Sequence, residues 1–157
     1  MTYTTRLVVP DDITGLKAVL DSISLFPPEM LEELIHDYFQ NPATEDIWFT
    51  TTESGTPVSI GYCAPEKLTS GTYNLYAIGV RADVQGRGTG KMMMGFLENY
   101  LRNQGHRILI VETSGTEAFA LTRKFYEQLN YTREAVIRDF WQEGDDKVVY
   151  WKKLSTL

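Results

Sequence analysis

A seven-residue segment rich in glycine constrains this sequence more than any other feature. It lies between a predicted strand and a predicted helix and runs Gln85, Gly86, Arg87, Gly88, Thr89, Gly90, Lys91. Glycines at alternate positions let backbone N–H groups approach a ligand closely, and the following helix presents the positive end of its dipole to the same place. Arg87 and Lys91 add full positive charges. The segment therefore predicts a phosphate-binding loop between a strand and a helix.

The spacing of the glycines excludes two other phosphate-binding loops. Read back from Gly90-Lys91, the Walker pattern needs a glycine and a hydroxyl residue at the places where Gln85 and Met92 stand. The dinucleotide-binding pattern G-x-G-x-x-G lacks its third glycine from either starting point. The pattern that the segment does satisfy is Q-x-x-G-x-G, from Gln85 to Gly90.

Apolar periodicity around the loop predicts one mixed α/β domain over residues 1–157. Strands are expected near 6–9, 47–53, 58–63, 73–80, 108–111, 131–141 and 147–154, and helices near 11–23, 28–40, 91–103 and 118–129. The resulting order is β-α-α-β-β-β-α-β-α-β-β. Asp11 is the expected N-cap of the first helix. The strands on either side of the third helix form a βαβ unit, so they are expected to be parallel.

Composition excludes several classes of function. The single cysteine, Cys63, rules out an internal disulfide framework, and the two histidines, His36 and His106, lie too far apart for a zinc motif, so no metal site is expected. No apolar run approaches the ~18–20 residues that span a membrane, and the N-terminus lacks the pattern of a signal peptide. A net charge of −6 disfavours nucleic-acid binding. We expect a cytoplasmic protein with no membrane or nucleic-acid partner.

The negative charge is concentrated in one part of the chain. Between Lys17 and Lys67 there is no lysine or arginine, whereas the acidic residues there are Asp21, Glu29, Glu32, Glu33, Asp37, Glu45, Asp46, Glu53 and Glu66. These residues form either a solvated surface or a region that attracts a cationic substrate. If they attract a substrate, Glu29, Glu32 and Glu33 on the second predicted helix are the residues to test.

Three motifs together resemble one protein family. The Q-x-x-G-x-G loop after a strand that ends Ile78-Gly79-Val80 resembles the acetyl-CoA-binding motif of the GNAT acetyltransferase superfamily. The segment from Phe125 to Tyr131 is similar to the tyrosine motif of that family, and the segment from Gly144 to Tyr150 is similar to the closing hairpin of some of its members. The resemblance covers nearly the whole chain and agrees with the predicted order of elements.

The resemblance implies how a cosubstrate would bind. In that family the two central strands splay apart, and the pantetheine arm of acetyl-CoA lies in the gap and pairs with one strand as an extra strand would. By resemblance, the backbone of Ile78 and Val80 does this here. The pyrophosphate would then bind the N–H groups of the loop from Gln85 to Lys91, and no metal is implied.

The resemblance also implies catalytic candidates. Tyr126 occupies the place of the tyrosine that assists the departure of the coenzyme A thiolate, and a phenol can supply that proton. The general base is less well defined, because Asn74 stands where many relatives carry a glutamate. Glu112, at the end of the run Ile108–Val111, is the replacement that we favour. Phe119 replaces a family asparagine, which removes one expected contact with the pantetheine arm, and Ser114 and Thr122 are nearby residues that can supply hydroxyls instead.

The expected function is therefore that of an N-acetyltransferase. It would move the acetyl group of acetyl-CoA to a primary amine, either a small cationic amine or a peptide amine, by direct transfer in a ternary complex. A non-catalytic acyl-CoA-binding module and a protein N-terminal or lysine acetyltransferase are the alternatives. The expected partners are the amine acceptor and, in a homodimer, a second copy of the chain.

Overall fold

A mixed β-sheet of eight strands, with helices on both faces, forms the body of the molecule. The structure is a computed structural model that describes residues 2–155, so Met1, Thr156 and Leu157 of the predicted domain lie outside the described residues. The strands are β1 (Tyr3–Leu7), β2 (Ile47–Glu53), β3 (Thr56–Pro57), β4 (Ser59–Pro65), β5 (Thr72–Val80), β6 (Ile108–Ser114), β7 (Thr132–Gln142) and β8 (Asp145–Lys153). The α-helices are α1 (Ile13–Ser22), α2 (Leu31–Gln40), α3 (Thr89–Asn103) and α4 (Ala120–Gln128).

The order of these elements agrees with the predicted order, with β3 as an addition. Ser54 and Gly55 form the turn after β2 with positive φ angles of 48° and 88°, and Thr56 and Pro57 then pair with β2. Pro57 has no N–H to donate to a neighbouring strand, and the strand breaks at Val58 before β4 begins. The extended segment after the turn therefore consists of two pieces.

The strands lie across the sheet in the order β1-β2-β4-β5-β6-β8-β7, with β3 beside β2. β5 and β6 are parallel neighbours connected through α3, as the predicted βαβ unit requires. The other neighbouring strands described are antiparallel.

β5 and β6 pair over only part of their length. Their register runs from Thr72 with Ile108 to Leu75 with Val111 and stops there. Beyond that point, the end of β5 pairs only with β4, and the end of β6 pairs only with β8. Tyr76 marks the level of separation, because it is an extra residue in β5 with no counterpart on β4, which is a β-bulge. The predicted splay of the central strands is confirmed.

Each face of the sheet has its own apolar core. Trp48 and Phe49 are neighbours on β2, both are fully buried, and they face opposite cores, as the alternation of side chains along a strand requires. α1 and α2 cover the core that contains Trp48, whereas α3 and α4 cover the core that contains Phe49. This arrangement places α3 and α4 on the same side of the gap between β5 and β6.

The beginning of α1 differs from the prediction. Asp11 is exposed, and Pro10–Asp12 form a 3-10 turn before the helix. The buried carboxylate of Asp12 accepts hydrogen bonds from the Val9 N–H at 2.9 Å and from Arg6 at 2.7 and 2.9 Å. Burial alone would raise the pKa of Asp12, but these hydrogen bonds and the charge of Arg6 outweigh it and lower the pKa. Asp12, rather than Asp11, fixes this turn, because it reaches a cation on β1 that local sequence does not reveal.

Candidate active site

Two adjoining cavities occupy the gap between β5 and β6. The first, of about 660 Å³, lies between the end of β5, the glycine-rich loop, the first turn of α3 and one side of α4. The second, of about 390 Å³, lies between the diverging ends of β5 and β6 and the turn between β7 and β8. Ile78, Thr122 and Tyr126 line both cavities, so these residues mark the junction between them.

The glycine-rich loop brings backbone donors to the first cavity. Gly86 and Gly88 have φ angles of 79° and 85°, a left-handed conformation that favours glycine. The first hydrogen bond of α3 runs from the Met92 N–H to the Gly88 carbonyl, and no side chain among residues 2–155 caps the helix. The N–H groups of residues 89–91 therefore lie ahead of the helical ladder, where an anion would be stabilised by them and by the helix dipole.

Most of the predicted cofactor-binding residues surround this first cavity. The residues that line it are Ile78, Val80, Gln85, Gly86, Gly88, Thr89, Gly90 and Lys91. Arg87 is exposed and is not among them. A Cβ atom on Gly90 would approach the ring of Phe125 to 3.3 Å, so glycine there lets α3 and α4 pack closely. On β5, residues 78–80 pair with β4 on one side only, which leaves their other backbone edge toward the cavity.

Tyr126 projects from α4 at the junction of the cavities. Its side chain is 2% exposed and lies against the rings of Phe125, Tyr131 and Tyr150, at centroid distances of 5.2, 5.7 and 5.8 Å. The hydroxyls of Tyr131 and Tyr150 donate to Glu98 and Glu127, but the Tyr126 hydroxyl has no such partner in the described part of the chain. Burial raises the pKa of Tyr126 above its ordinary value, so the phenol is neutral at physiological pH and can donate a proton or hydrogen bond.

Glu112 is the first residue of β6 beyond the parallel pairing with β5, and it lines the second cavity. Its Oε2 accepts a hydrogen bond of 2.9 Å from the Lys147 ammonium, which lies 3.9 Å from the centroid of the Phe140 ring. The two candidate catalytic residues, Tyr126 and Glu112, are therefore on the walls of the same cavity.

Asn74 does not line either cavity. It is 1% exposed, its amide donates to Glu66 Oε1 at 2.7 Å, and its own Oδ1 has no partner within residues 2–155. The Tyr76 hydroxyl donates to the same Glu66 oxygen at 3.1 Å, and Tyr76 lines the second cavity. Burial, followed by the charge of Glu66, raises the pKa of Tyr76 to about 12.

The second cavity contains residues that sequence analysis did not identify: Leu25, Tyr76, Trp141 and Asp145. Asp145 accepts a hydrogen bond of 2.6 Å from Ser114, which, like Thr122 and Phe119, lines this cavity. The predicted hairpin turn near 143–146 was the available signal for Trp141 and Asp145. The bulge that exposes Tyr76 has no comparable signal, because it depends on the pairing of β5 with β4.

The carboxylates of α2 and of the turn before it lie elsewhere. Glu29, Glu32 and Glu33 are not among the residues that line the two cavities, and Glu32 pairs with Lys17. The acidic residues that do line the second cavity are Glu112 and Asp145. The binding of an acceptor by Glu29, Glu32 and Glu33 stays a prediction without support from this geometry, because these residues line neither cavity.

Within residues 2–155, no group of three or more His, Cys, Asp or Glu side chains is arranged to hold a metal ion. No helix in that range is both long and apolar enough to cross a membrane.

Known proteins resemble this chain in sequence and in fold. The model of the Acetyltransferase (GNAT) family matches residues 16–131. A GNAT-family protein from Desulfovibrio desulfuricans is 30% identical with a TM-score of 0.89, and the match covers 98% of this chain and 99% of that one. The Escherichia coli ribosomal-protein-S18-alanine N-acetyltransferase shares the fold at 17% identity and a TM-score of 0.79, over 99% and 96% of the two chains.

An aminoglycoside 6'-N-acetyltransferase in complex with coenzyme A also shares the fold, at 15% identity and a TM-score of 0.78, over 96% of this chain and 97% of that one. No curated protein matches the sequence.

Proposed function

The chain belongs to the GNAT acetyltransferase family, and we propose that it moves the acetyl group of acetyl-CoA directly to a primary amine within a ternary complex. The observation that carries this proposal is the position of Tyr126. Tyr126 lies at the junction of the two cavities, and its hydroxyl has no partner among the described residues. The first cavity is lined by free backbone N–H groups, and the second is lined by the carboxylate of Glu112. One cavity suits an anionic cosubstrate, and the other suits a nucleophile that must lose a proton.

In this proposal the first cavity holds acetyl-CoA. The pyrophosphate binds the N–H groups at the beginning of α3, where the helix dipole also stabilises negative charge. The pantetheine arm pairs with the free backbone edge of Ile78 and Val80. The thioester then lies near Tyr126, at the opening to the second cavity. A complex of a structural relative with coenzyme A supports this choice of cosubstrate.

The acceptor amine binds in the second cavity and must be neutral to attack. Glu112 accepts a proton from the amine, directly or through a water molecule, as the nitrogen forms a bond to the acetyl carbonyl carbon. The C–S bond then breaks, and Tyr126 protonates the departing thiolate or stabilises it by a hydrogen bond. The proton that Glu112 has taken then passes through solvent to the Tyr126 oxygen, or to the thiolate if Tyr126 has only donated a hydrogen bond to it. The products are an amide and free coenzyme A, and both residues return to their starting states.

The alternatives differ in what they require of these residues. A non-catalytic acyl-CoA-binding module would account for the departures at Asn74 and Phe119, but it has no need of a neutral, unpartnered phenol at the junction. The names of two relatives, one for ribosomal-protein alanine and one for aminoglycosides, point to a peptide amine and to a small cationic amine respectively. A cytoplasmic location and a homodimer stay predictions from the sequence.

An amine-panel assay tests the proposal. Acetyl-CoA is incubated with the protein and with neutral amines, polyamines, aminoglycosides, and peptides with a free N-terminus or lysine, while free thiol is measured. Mass spectrometry then looks for an acceptor heavier by one acetyl group. We expect thiol release with at least one class of amine and an equal amount of acetylated product. Binding of acetyl-CoA without thiol release for any amine would favour the binding module.

A further inference from the structure

Glu112, the candidate base, forms an ion pair with Lys147. Lys147 Nζ lies 2.9 Å from Glu112 Oε2, and the side chains of Lys147 and Glu112 are only 12% and 23% exposed. Pairs on open surfaces contribute little because solvent screens them, but this pair is largely removed from solvent. The other oxygen of Glu112, Oε1, accepts no hydrogen bond from the residues that the structure describes.

Lys147 is itself held by an irregular part of β7. The register passes from Ile137 with Lys147 to Gln142 with Asp145, so residues 138–141 of β7 lie opposite Asp146 alone. Asp139 has a φ of 53°, its N–H donates to Asp146 at 3.0 Å, and its carboxylate accepts from the Gly144 N–H at 2.9 Å. These contacts stabilise a long bulge in β7, and Phe140 and Trp141 are part of it.

The bulge places one aromatic ring on Lys147 and the other at the cavity. The ring centroid of Phe140 lies 3.9 Å from Lys147 Nζ, a distance at which a cation and an aromatic face attract. Trp141 lies at a right angle to Phe140, donates to the Thr113 carbonyl at 3.4 Å, and lines the second cavity. The Lys147 ammonium is therefore held by two groups, the carboxylate of Glu112 and the ring of Phe140.

We propose that Lys147 is a positioning residue that acts through Glu112. By binding Oε2, the ammonium orients the carboxylate so that Oε1 is left for the acceptor amine. It also neutralises the charge of Glu112, so that the carboxylate does not trap the acceptor as an unreactive ammonium ion. This inference rests on the proposed function, because it takes Glu112 as the base.

Loss of the Lys147 charge should change kcat and KM in different ways. In Lys147→Met, the uncompensated carboxylate binds a cationic amine at least as tightly as before, so its KM stays level or falls. The kcat falls about tenfold, because the carboxylate is misoriented and the amine is held protonated. Lys147→Arg restores most of the kcat, because the guanidinium keeps both the charge and the donor. Phe140→Leu gives a smaller loss of the same kind.

A double-mutant cycle with Glu112→Gln separates positioning from general stability. If Lys147 acts through Glu112, Lys147→Met causes no further loss of kcat in the Glu112→Gln background. Lys153→Met, at an exposed position on the same strand, is the matched control and keeps the wild-type kcat. Circular dichroism and acetyl-CoA affinity are measured for each variant to establish that it is folded.

Each result of this cycle has a defined meaning. A wild-type kcat in Lys147→Met, or an equal loss in both backgrounds, overturns the role of Lys147. If Lys147→Met does not fold, Phe140→Leu carries the test, and a raised KM with an unchanged kcat in that variant overturns the role of Lys147. A wild-type kcat in Glu112→Gln overturns the proposed base itself, whatever Lys147 does.

Discussion

The Tyr126 side chain is buried and lines both cavities, and its hydroxyl has no hydrogen-bond partner in the described chain. Neighbouring tyrosines at 131 and 150 are paired with carboxylates, which would hold their protons away from a substrate. Tyr126 has no such constraint, and burial keeps it protonated well past neutral pH. A neutral donor beside a departing thiolate is the arrangement that acid catalysis requires.

Replacing Tyr126 with phenylalanine tests this role. We expect Tyr126→Phe to lower kcat by about 10²–10⁴, the usual contribution of a positioned acid, while acetyl-CoA affinity changes little because the ring remains. Steady-state kinetics and calorimetry measure the two quantities. Tyr100→Phe, on α3 and outside both cavities, is the control and keeps the wild-type kcat. An unchanged kcat in Tyr126→Phe would remove the residue from the mechanism.

Asp145 is the second carboxylate of the second cavity, where we propose that the acceptor binds, and a variant of it tests recognition of charge. Asp145→Asn keeps an oxygen that can accept from Ser114 but removes the charge. We expect kcat/KM for a cationic amine to fall about fivefold at low salt, with little change for a neutral amine, and the effect to shrink as salt rises. Glu33→Gln, on α2, is the matched control with no effect. Equal losses for both amines would contradict a charge effect.

The proposed cosubstrate site depends on the loop before α3. Gly88 is left-handed, and a Cβ atom there would meet nothing within 4 Å, so a side chain has room but strains the backbone. Gly88→Glu also brings a negative charge to the proposed phosphate site. We expect acetyl-CoA affinity, measured by calorimetry, to fall at least about 100-fold, which is about 2.7 kcal/mol.

The other end of α3 offers a matched control for this variant. Gly105 has a φ of 82° and equally open space around its Cβ position. Gly105→Glu therefore adds the same charge and a similar strain far from the cavity, and we expect it to lose stability but not acetyl-CoA affinity. If a folded Gly88→Glu variant binds as well as Gly105→Glu, the cosubstrate site has been misplaced.

The turn before α1 gives a prediction about pH. Hydrogen bonds to Arg6 and Val9 hold the pKa of Asp12 below its unfolded value of 3.8. Such a carboxylate stabilises the fold above that value, and the contribution disappears as pH falls through the lower, folded pKa. We expect Asp12→Asn to lose about 2–3 kcal/mol at pH 7 in urea unfolding, and the gap from wild type to close as pH falls below about 4. A constant gap down to pH 3 would contradict this account.

Over the molecule as a whole, the sequence predicted those features of the fold that depend on residues close together in the chain. The glycine-rich loop, the helix after it and the run 108–111 are local patterns, and the structure has a loop, a helix and a strand at those places. The bulges at Tyr76 and at 138–141 were not predicted, because each arises from pairing with another strand. The contact between Glu112 and Lys147 joins residues 35 positions apart, and no periodicity reveals it.

Occupation of the first cavity should stabilise the whole fold, because acetyl-CoA would bind the native state and not the unfolded chain. A ligand at 100 times its Kd stabilises the native state by about 2.7 kcal/mol. For a chain of this length, that corresponds to a rise in Tm of about 5–10 °C. Thermal unfolding followed by circular dichroism measures it. The absence of a shift at saturating acetyl-CoA would contradict binding to the folded state.

The central claim is that two adjoining cavities bring acetyl-CoA and an amine together for direct transfer. Initial rates measured over a grid of both substrate concentrations test it most directly, with thiol release as the signal. A ternary complex predicts double-reciprocal lines that intersect, and no acetylated protein when the amine is omitted. Parallel lines, together with an acetyl group found on the protein itself, would show transfer through a covalent intermediate and contradict the claim.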